Sequence, residues 1–222
     1  MPRRPLLRFV CIIFAALVLV SKMAICQKDS SYSLSVEEAE KLVETWVEEN
    51  KGQSIWQVSP RLREVTTKDI SKRLHAQVFK LQATGSSTEV ESYLAKDGKV
   101  YPMSVGLGGA GLTETCVSDI DNDSIDEMIY TYSWGLGFRR SHVDTYVFAG
   151  LIPLKIAGFV VAFADLSFKQ LDDKSIDVYV IEPEARLGKL FFGSDGKNRC
   201  LGVKLDVNLP PSVAVNRNSN CK

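Results

Sequence analysis

Along most of this chain, short apolar runs of period two alternate with turn-forming residues at even spacing, and that pattern leaves few architectures open. His75 to Gln82 alternates like a half-buried strand, and Gly85-Ser86-Ser87 turns it. Glu89 to Ala95 runs back, Lys96-Asp97-Gly98-Lys99 carries the Asp-Gly pair of a tight hairpin, and Val100 to Val105 runs out again. Further strand candidates are Leu112–Ser118, Glu127–Trp134, Val143–Ala149, Phe159–Phe163, Ile176–Ile181, Lys189–Phe192 and Cys200–Val207. Between them stand Gly135-Leu136-Gly137, Asp172-Asp173-Lys174, Glu182-Pro183-Glu184 and Ser194-Asp195-Gly196-Lys197. Strands of this length joined by such turns predict an antiparallel meander or sandwich.

Ahead of the strands the period changes. Ser35 and Glu38 form a capping box. Apolar residues then recur at Val36, Ala39, Leu42, Val43, Trp46 and Val47, and Asn50-Lys51-Gly52 ends the run. An amphipathic helix of this kind ordinarily buries its stripe on its own domain. Ser54 to Val58 is read as a short strand and Thr67 as the cap of a short helix through Ile70 and Leu74. The expected fold class is therefore α+β, an N-terminal amphipathic helix packed on an antiparallel β-sheet or meander domain. The helix followed by hairpins resembles the layout of small cystatin-like or PepSY-like modules, which would imply an inhibitor-like role for residues 35–103.

The N-terminus reads as an address. Arg3, Arg4 and Arg8 precede Phe9 to Val20, an apolar run of 12 residues, short of the roughly 20 that span a bilayer. Ala24 and Cys26 are the small residues that a signal peptidase reads. The expected division is a signal peptide over 1–26, a linker over 27–34, one α+β domain over 35–208 and a mobile polar tail over 209–222. The domain subdivides into a helix with hairpins (35–105) and a β meander (106–208). A lipid anchor at Cys26 and an uncleaved N-terminal anchor are the alternative routes of export. After cleavage no membrane-spanning segment is expected.

The whole chain of 222 residues has 27 basic and 27 acidic residues. The first 26 carry four of the bases and no acid, so the mature part has a net charge of −4. A mildly acidic protein offers no electrostatic footprint for nucleic acid, and none is expected as a partner. Cys116, Cys200 and Cys221 are left in the mature part. An odd count permits one bridge at most, either Cys116–Cys200 or Cys200–Cys221, or three free thiols.

One stretch points at chemistry. Asp119-Ile120-Asp121-Asn122-Asp123-Ser124-Ile125-Asp126-Glu127 sets carboxylates at alternate positions before a strand. Calcium takes six to eight oxygens from carboxylates and carbonyls on a tight loop. Asp119, Asp121 and Asp123 would supply side chains, Ile125 its carbonyl and Glu127 the closing ligand, with Asp126 as the alternative. Tyr130 stands where an EF-hand needs its bidentate Glu, and β-formers follow instead of a helix. D-x-D-x-D-x-x-x-E before an apolar strand resembles the loop of FG-GAP and VCBS-type β proteins. That resemblance implies a structural calcium ion on Asp119, Asp121, Asp123 and Glu127 that stiffens a strand connection. The chain departs from the family in having Ser124 in place of glycine and a single copy of the loop. The wider run Cys116 to His142 resembles a segment of secreted bacterial proteins that have no assigned activity. Asn122-Asp123-Ser124 is also a glycosylation sequon, relevant only in a eukaryotic secretory route.

Two other motifs are weaker. Gly106-Leu107-Gly108-Gly109-Ala110-Gly111 is formally G-x-G-x-x-G, but a short β-branched run follows it where a dinucleotide fold needs a helix. Trp134, Phe138, Arg139, Arg140 and His142 crowd one hairpin and form a candidate surface for an extracellular protein, a glycan or a small anionic ligand. A plain glycine hairpin with packed aromatics and solvated arginines is the competing reading. For catalysis the chain has only His75 and His142, and no G-x-S-x-G or H-E-x-x-H. The expected function is an exported, non-enzymatic binding or structural module with a calcium loop. The alternative is a secreted hydrolase with its site near Gly135–His142.

Overall fold

The computed structural model describes residues 34–51, 61–82, 89–135, 138–150, 152–182, 184–194, 198–206, 214–216 and 221, with the side chains of 105–107 left aside. The expected signal segment and the strand at Ser54–Val58 lie outside these residues. Among them, β-structure predominates, in three antiparallel sheets. No described helix is long and apolar enough to cross a membrane.

Helix α1 spans Val36–Lys51. Its capping box is formed: the Ser35 amide donates to the Glu38 carboxylate at 2.9 Å, and the Glu38 amide donates to Ser35 Oγ at 3.2 Å. The first sheet is a meander of β1 (Arg61–Glu64), β2 (Gln77–Gln82), β3 (Glu89–Lys96) and β4 (Lys99–Leu107). Asp97 and Gly98 turn β3 into β4 with left-handed backbones, as the Asp-Gly pair predicts. Thr67 caps the short helical segment as expected, its Oγ1 accepting from the Ile70 amide at 3.4 Å. A single π-helical turn at Ile70–Leu74 follows it, closed by left-handed His75, so β2 starts two residues later than the alternation alone suggests.

A second meander follows, β5 (Gly111–Ser118), β6 (Glu127–Trp134), β7 (Arg140–Val147) and β8 (Leu154–Ala162), and then a third. The third comprises β9 (Leu166–Asp172), β10 (Ser175–Val180), β11 (Ala185–Ser194) and β12 (Arg199–Leu205). The formal G-x-G-x-x-G run joins β4 to β5, with Gly108, Gly109 and Gly111 in left-handed conformations. A Cβ on Gly109 would stand 2.6 Å from the Ser133 carbonyl oxygen, so only glycine lets this connection lie against β6.

Alternation along the strands sorts side chains into layers. Val78, Leu94 and Met103 of the first sheet share a buried cluster with Val117, Met128, Tyr130 and Tyr146 of the second. Ile129, Val143, Phe159 and Val161, from the opposite face of the second sheet, cluster with Leu166, Ile176, Val178, Leu190 and Leu201 of the third. The second sheet is thus covered on both faces. Phe79, Leu81, Tyr93 and Ala95 form a third cluster with Ala39, Val43 and Val47 of α1.

Within the tail, residues 214–216 and 221 are described. Ala214–Asn216 forms β13, which pairs antiparallel with β8 from Ala214↔Ala162 to Asn216↔Val160. Cys221 is bonded to Cys200, one of the two pairings open from the sequence, and Cys116 keeps a free thiol. A polar, non-alternating tail carries no pattern that announces edge pairing, and three cysteines do not state their connectivity.

Layering makes a quantitative expectation. Ile129→Ala, between the second and third sheets, should cost about 2–5 kcal/mol in urea unfolding. Leu171→Ala, on a side chain 55% exposed, should shift stability by no more than about 0.5 kcal/mol. Equal costs at the two positions would refute the two-sided burial of β6.

Candidate functional site

The acidic run connects β5 to β6. Asn122 and Ser124 both adopt left-handed backbones, which asparagine tolerates and serine does so less readily. Carboxylates hold the turn together. Asp119 accepts from the amides of Asp123 at 2.9 Å and Ser124 at 3.1 Å, and Asp123 accepts from that of Ile125 at 2.9 Å. Glu127 opens β6 fully buried, with Oε2 accepting from the Ile120 amide at 3.1 Å.

Asp119, Asp121 and Glu127 each direct one carboxylate oxygen into a common group, all within 4.8 Å of one another. Asp121 Oδ1 is buried and has no hydrogen-bond partner. Asp123 stands outside this group with one oxygen committed to the turn, and Ile125 is half-buried beside it. Burial pushes the Glu127 carboxyl up to about 7, with Asp121 and Asp123 adding repulsion and the Ile120 amide and Arg199 opposing the rise. Burial also raises Asp121, against the pull of Arg199. Such a cluster is under pressure to acquire positive charge.

The chain supplies some of that charge itself. Arg199, the first residue of β12, bonds to Asp121 and lies 3.4 Å from Glu127 and 3.6 Å from Asp123. Its guanidinium rests 4.8 Å from the Phe192 ring centre. Arg73, from the π-helical turn, donates to Asp126 at 3.0 Å and to the Val117 carbonyl at 3.1 Å. Lys174 reaches Asn122 from the β9–β10 turn. Sequence reasoning missed Arg199 and Arg73, because partners this distant in the chain leave no spacing signal.

The predicted hairpin surface divides in two. Trp134, Arg140 and His142 gather on one side: Arg140 stacks over the Trp134 ring at 5.2 Å, and His142 lies 5.8 Å from Trp134 and 4.9 Å from Tyr132. Phe138 and Arg139 turn elsewhere, Phe138 to Phe163 at 5.7 Å and Arg139 to Asp165 at 2.9 Å. Period-two alternation separates Arg139 from Arg140, so five neighbours in sequence cannot act as one surface. Gly135, at φ +122°, makes the sharp exit from β6; a Cβ there would meet the Phe138 carbonyl oxygen at 2.2 Å.

Among the cysteines, Cys200 is in a disulfide, and desolvation holds the thiol of half-buried Cys116 far above its ordinary range. Neither has the thiolate character that a nucleophile requires. No family model matches the chain, and neither a curated protein nor a solved structure is significantly similar to it.

His142 gives this region a pH signature. Burial lowers its imidazole below the ordinary value, Lys155 and Arg140 act in the same direction, and Asp144 opposes them. The unfolded imidazole gains its proton near pH 6.5, before the folded one does. Stability contributed at this position should therefore fall as pH drops through that value. The stability difference between wild type and His142→Gln, read from urea midpoints between about pH 7.5 and about 5.5, should shrink towards acid. A flat difference would show that the ring is not held neutral.

Proposed function

We propose that the chain is an exported, non-enzymatic binding module whose β5–β6 connection is a calcium clip. The observation that carries the reading is the convergence of Asp119, Asp121 and Glu127 oxygens within 4.8 Å, together with the buried, unpartnered Asp121 Oδ1. A hard cation would relieve that orphan and the desolvated Glu127 together. Asp123, which stands outside that group, and the Ile125 carbonyl are the remaining ligands of the expected set. Export is supported by the basic and apolar N-terminal pattern and by the Cys200–Cys221 bridge, which suits an oxidising compartment.

In this reading the ion is structural. It stiffens the entry to β6, which runs to Trp134 at its far end. The Trp134, Arg140 and His142 side of the hairpin then serves as the surface for a glycan, a small anion or an extracellular protein, with exposed Arg140 as its charged group. Helix α1, packed on the first sheet, acts as the opposite cover of the module.

Arg199 competes with the ion for the same carboxylates. At about 5 mM calcium, an affinity in the extracellular-module range of about 10⁻⁴–10⁻³ M corresponds to about 1–2 kcal/mol of stabilisation. The melting temperature of wild type should rise by a few degrees over its value in chelator, and Asp121→Ala should lose the rise. Arg199→Ala should melt lower in chelator and gain more from calcium than wild type does. A melting temperature indifferent to calcium in both wild type and Arg199→Ala would end the calcium reading and leave Arg199 as the loop's sole counter-charge.

A further inference from the structure

A second site lies at the far end of the hairpin, away from the acidic loop. A surface cavity of about 380 Å³ is lined by Arg139, Phe163, Ala164, Asp165, Ile181 and Glu182. Three large apolar side chains gather there in solvent: Phe138 is 66%, Phe163 57% and Ile181 45% exposed. Phe138 meets Phe163 edge to face at 5.7 Å. Single exposed hydrophobics are ordinary, whereas a cluster around a cavity marks an interaction site.

Two features resist a purely structural account. Phe163 has φ +64°, a left-handed backbone that is strained for a bulky residue. Its amide is pinned to the Arg139 carbonyl at 2.7 Å, so the strain is locked in while the ring still points to water. Asp165 is equally unusual. Its Oδ2 accepts from Arg139 at 2.9 Å, but Oδ1 is buried without any hydrogen-bond partner. A buried carboxylate oxygen left bare is unfavourable.

The surroundings are rigid. Ser141 Oγ donates to the Ala164 carbonyl at 2.7 Å, and the Ile181 amide donates to the Asp165 carbonyl at 2.9 Å. The cavity floor is thereby tied to both β7 and the end of β10. Charge decides the ligand's sign. Asp165 and exposed Glu182 outnumber the one lining base, Arg139, which Asp165 already engages.

We propose that this cavity binds a small organic cation, an ammonium or guanidinium group carried on a flat apolar body. The Asp165 and Glu182 carboxylates attract the cation, and the apolar body stacks on Phe163 and Phe138. The same chemistry is offered by a free arylalkylamine and by a basic side chain next to an aromatic one in a peptide. This site is independent of the calcium clip, from which it shares no residue.

Phenethylammonium is the direct probe, with phenylacetate as its charge-reversed counterpart and the amide of acetylated Lys-Phe as the peptide form. Titrations of the purified protein followed by amide NMR should show saturable shifts at Arg139, Asp165 and Ile181 with phenethylammonium and none with phenylacetate. Binding of the peptide amide more than tenfold tighter than phenethylammonium would assign the site to peptide partners, and the reverse order would assign it to free amines. Phe163→Gly relieves the left-handed strain, so it should raise the melting temperature while weakening phenethylammonium at least tenfold. Asp165→Asn, if it folds, should lose binding as well. Equal response to phenylacetate, unchanged affinity in Phe163→Gly, or no saturable binding at millimolar concentration would each overturn the assignment.

Discussion

Glu127 begins a strand that is buried on both sides, and its side chain has no exposed surface. Everything around the β5–β6 connection answers that single constraint. The Ile120 amide takes one oxygen, Arg199 approaches the other, and Asp119 and Asp121 add negative charge that makes a compensating cation more necessary. A charge in such a place persists only if paired, neutralised by a proton or bound to an ion. The raised Glu127 carboxyl, the Arg199 contacts and the carboxylate convergence are three expressions of the same unfavourable desolvation.

The reason Glu127 is there lies in the layering. A four-stranded meander with one wet face could begin β6 in solvent. Here the first and third sheets cover the two faces of the second, so Met128 and Tyr130 face one cluster and Ile129 the other. Consecutive buried residues replace the apolar-polar alternation of a one-sided sheet. Tyr130 illustrates the demand this makes on polar atoms: its hydroxyl, deep between sheets, donates to the Met103 carbonyl at 3.1 Å. The aromatic ladder of Trp134, His142, Tyr132, Tyr130 and Tyr146 continues that packed face to the hairpin.

Most strands were legible because alternation and turn chemistry are local. The Asp97-Gly98 turn, the Ser35–Glu38 cap and the Glu127–Trp134 strand all follow from a few adjacent residues. What escaped was nonlocal. Strand β9 shows little alternation, since Leu171 points outward and Gln170 is spent on the Val117 carbonyl of β5 at 3.1 Å. Strand β13 exists through its pairing with β8, and Arg199 meets the acidic loop only because the third sheet lies against the second. The hairpin residues were all named, but as one surface. Placing them in sequence was easy, and assigning them to faces required the β7 register, in which Arg140 and not Arg139 pairs with Trp134.

Arg199 and Cys200 are adjacent, and that adjacency links the two ends of the argument. Side chains next to each other on a strand point to opposite faces. Arg199 reaches the acidic loop of the second sheet, while Cys200 carries the bridge to Cys221. The start of β12 is therefore held from both sides, by a guanidinium within a cage of carboxylates and by a covalent bond. A long, flexible arginine loses much side-chain entropy when it is held in one place. Anchoring its backbone covalently, and resting its guanidinium on Phe192, reduces what remains to be lost when it pairs with Asp121. An ion arriving at the loop must compete with an arginine that is already positioned. Under the proposed calcium clip, the strength of binding would therefore be set as much by β12 as by the acidic run itself.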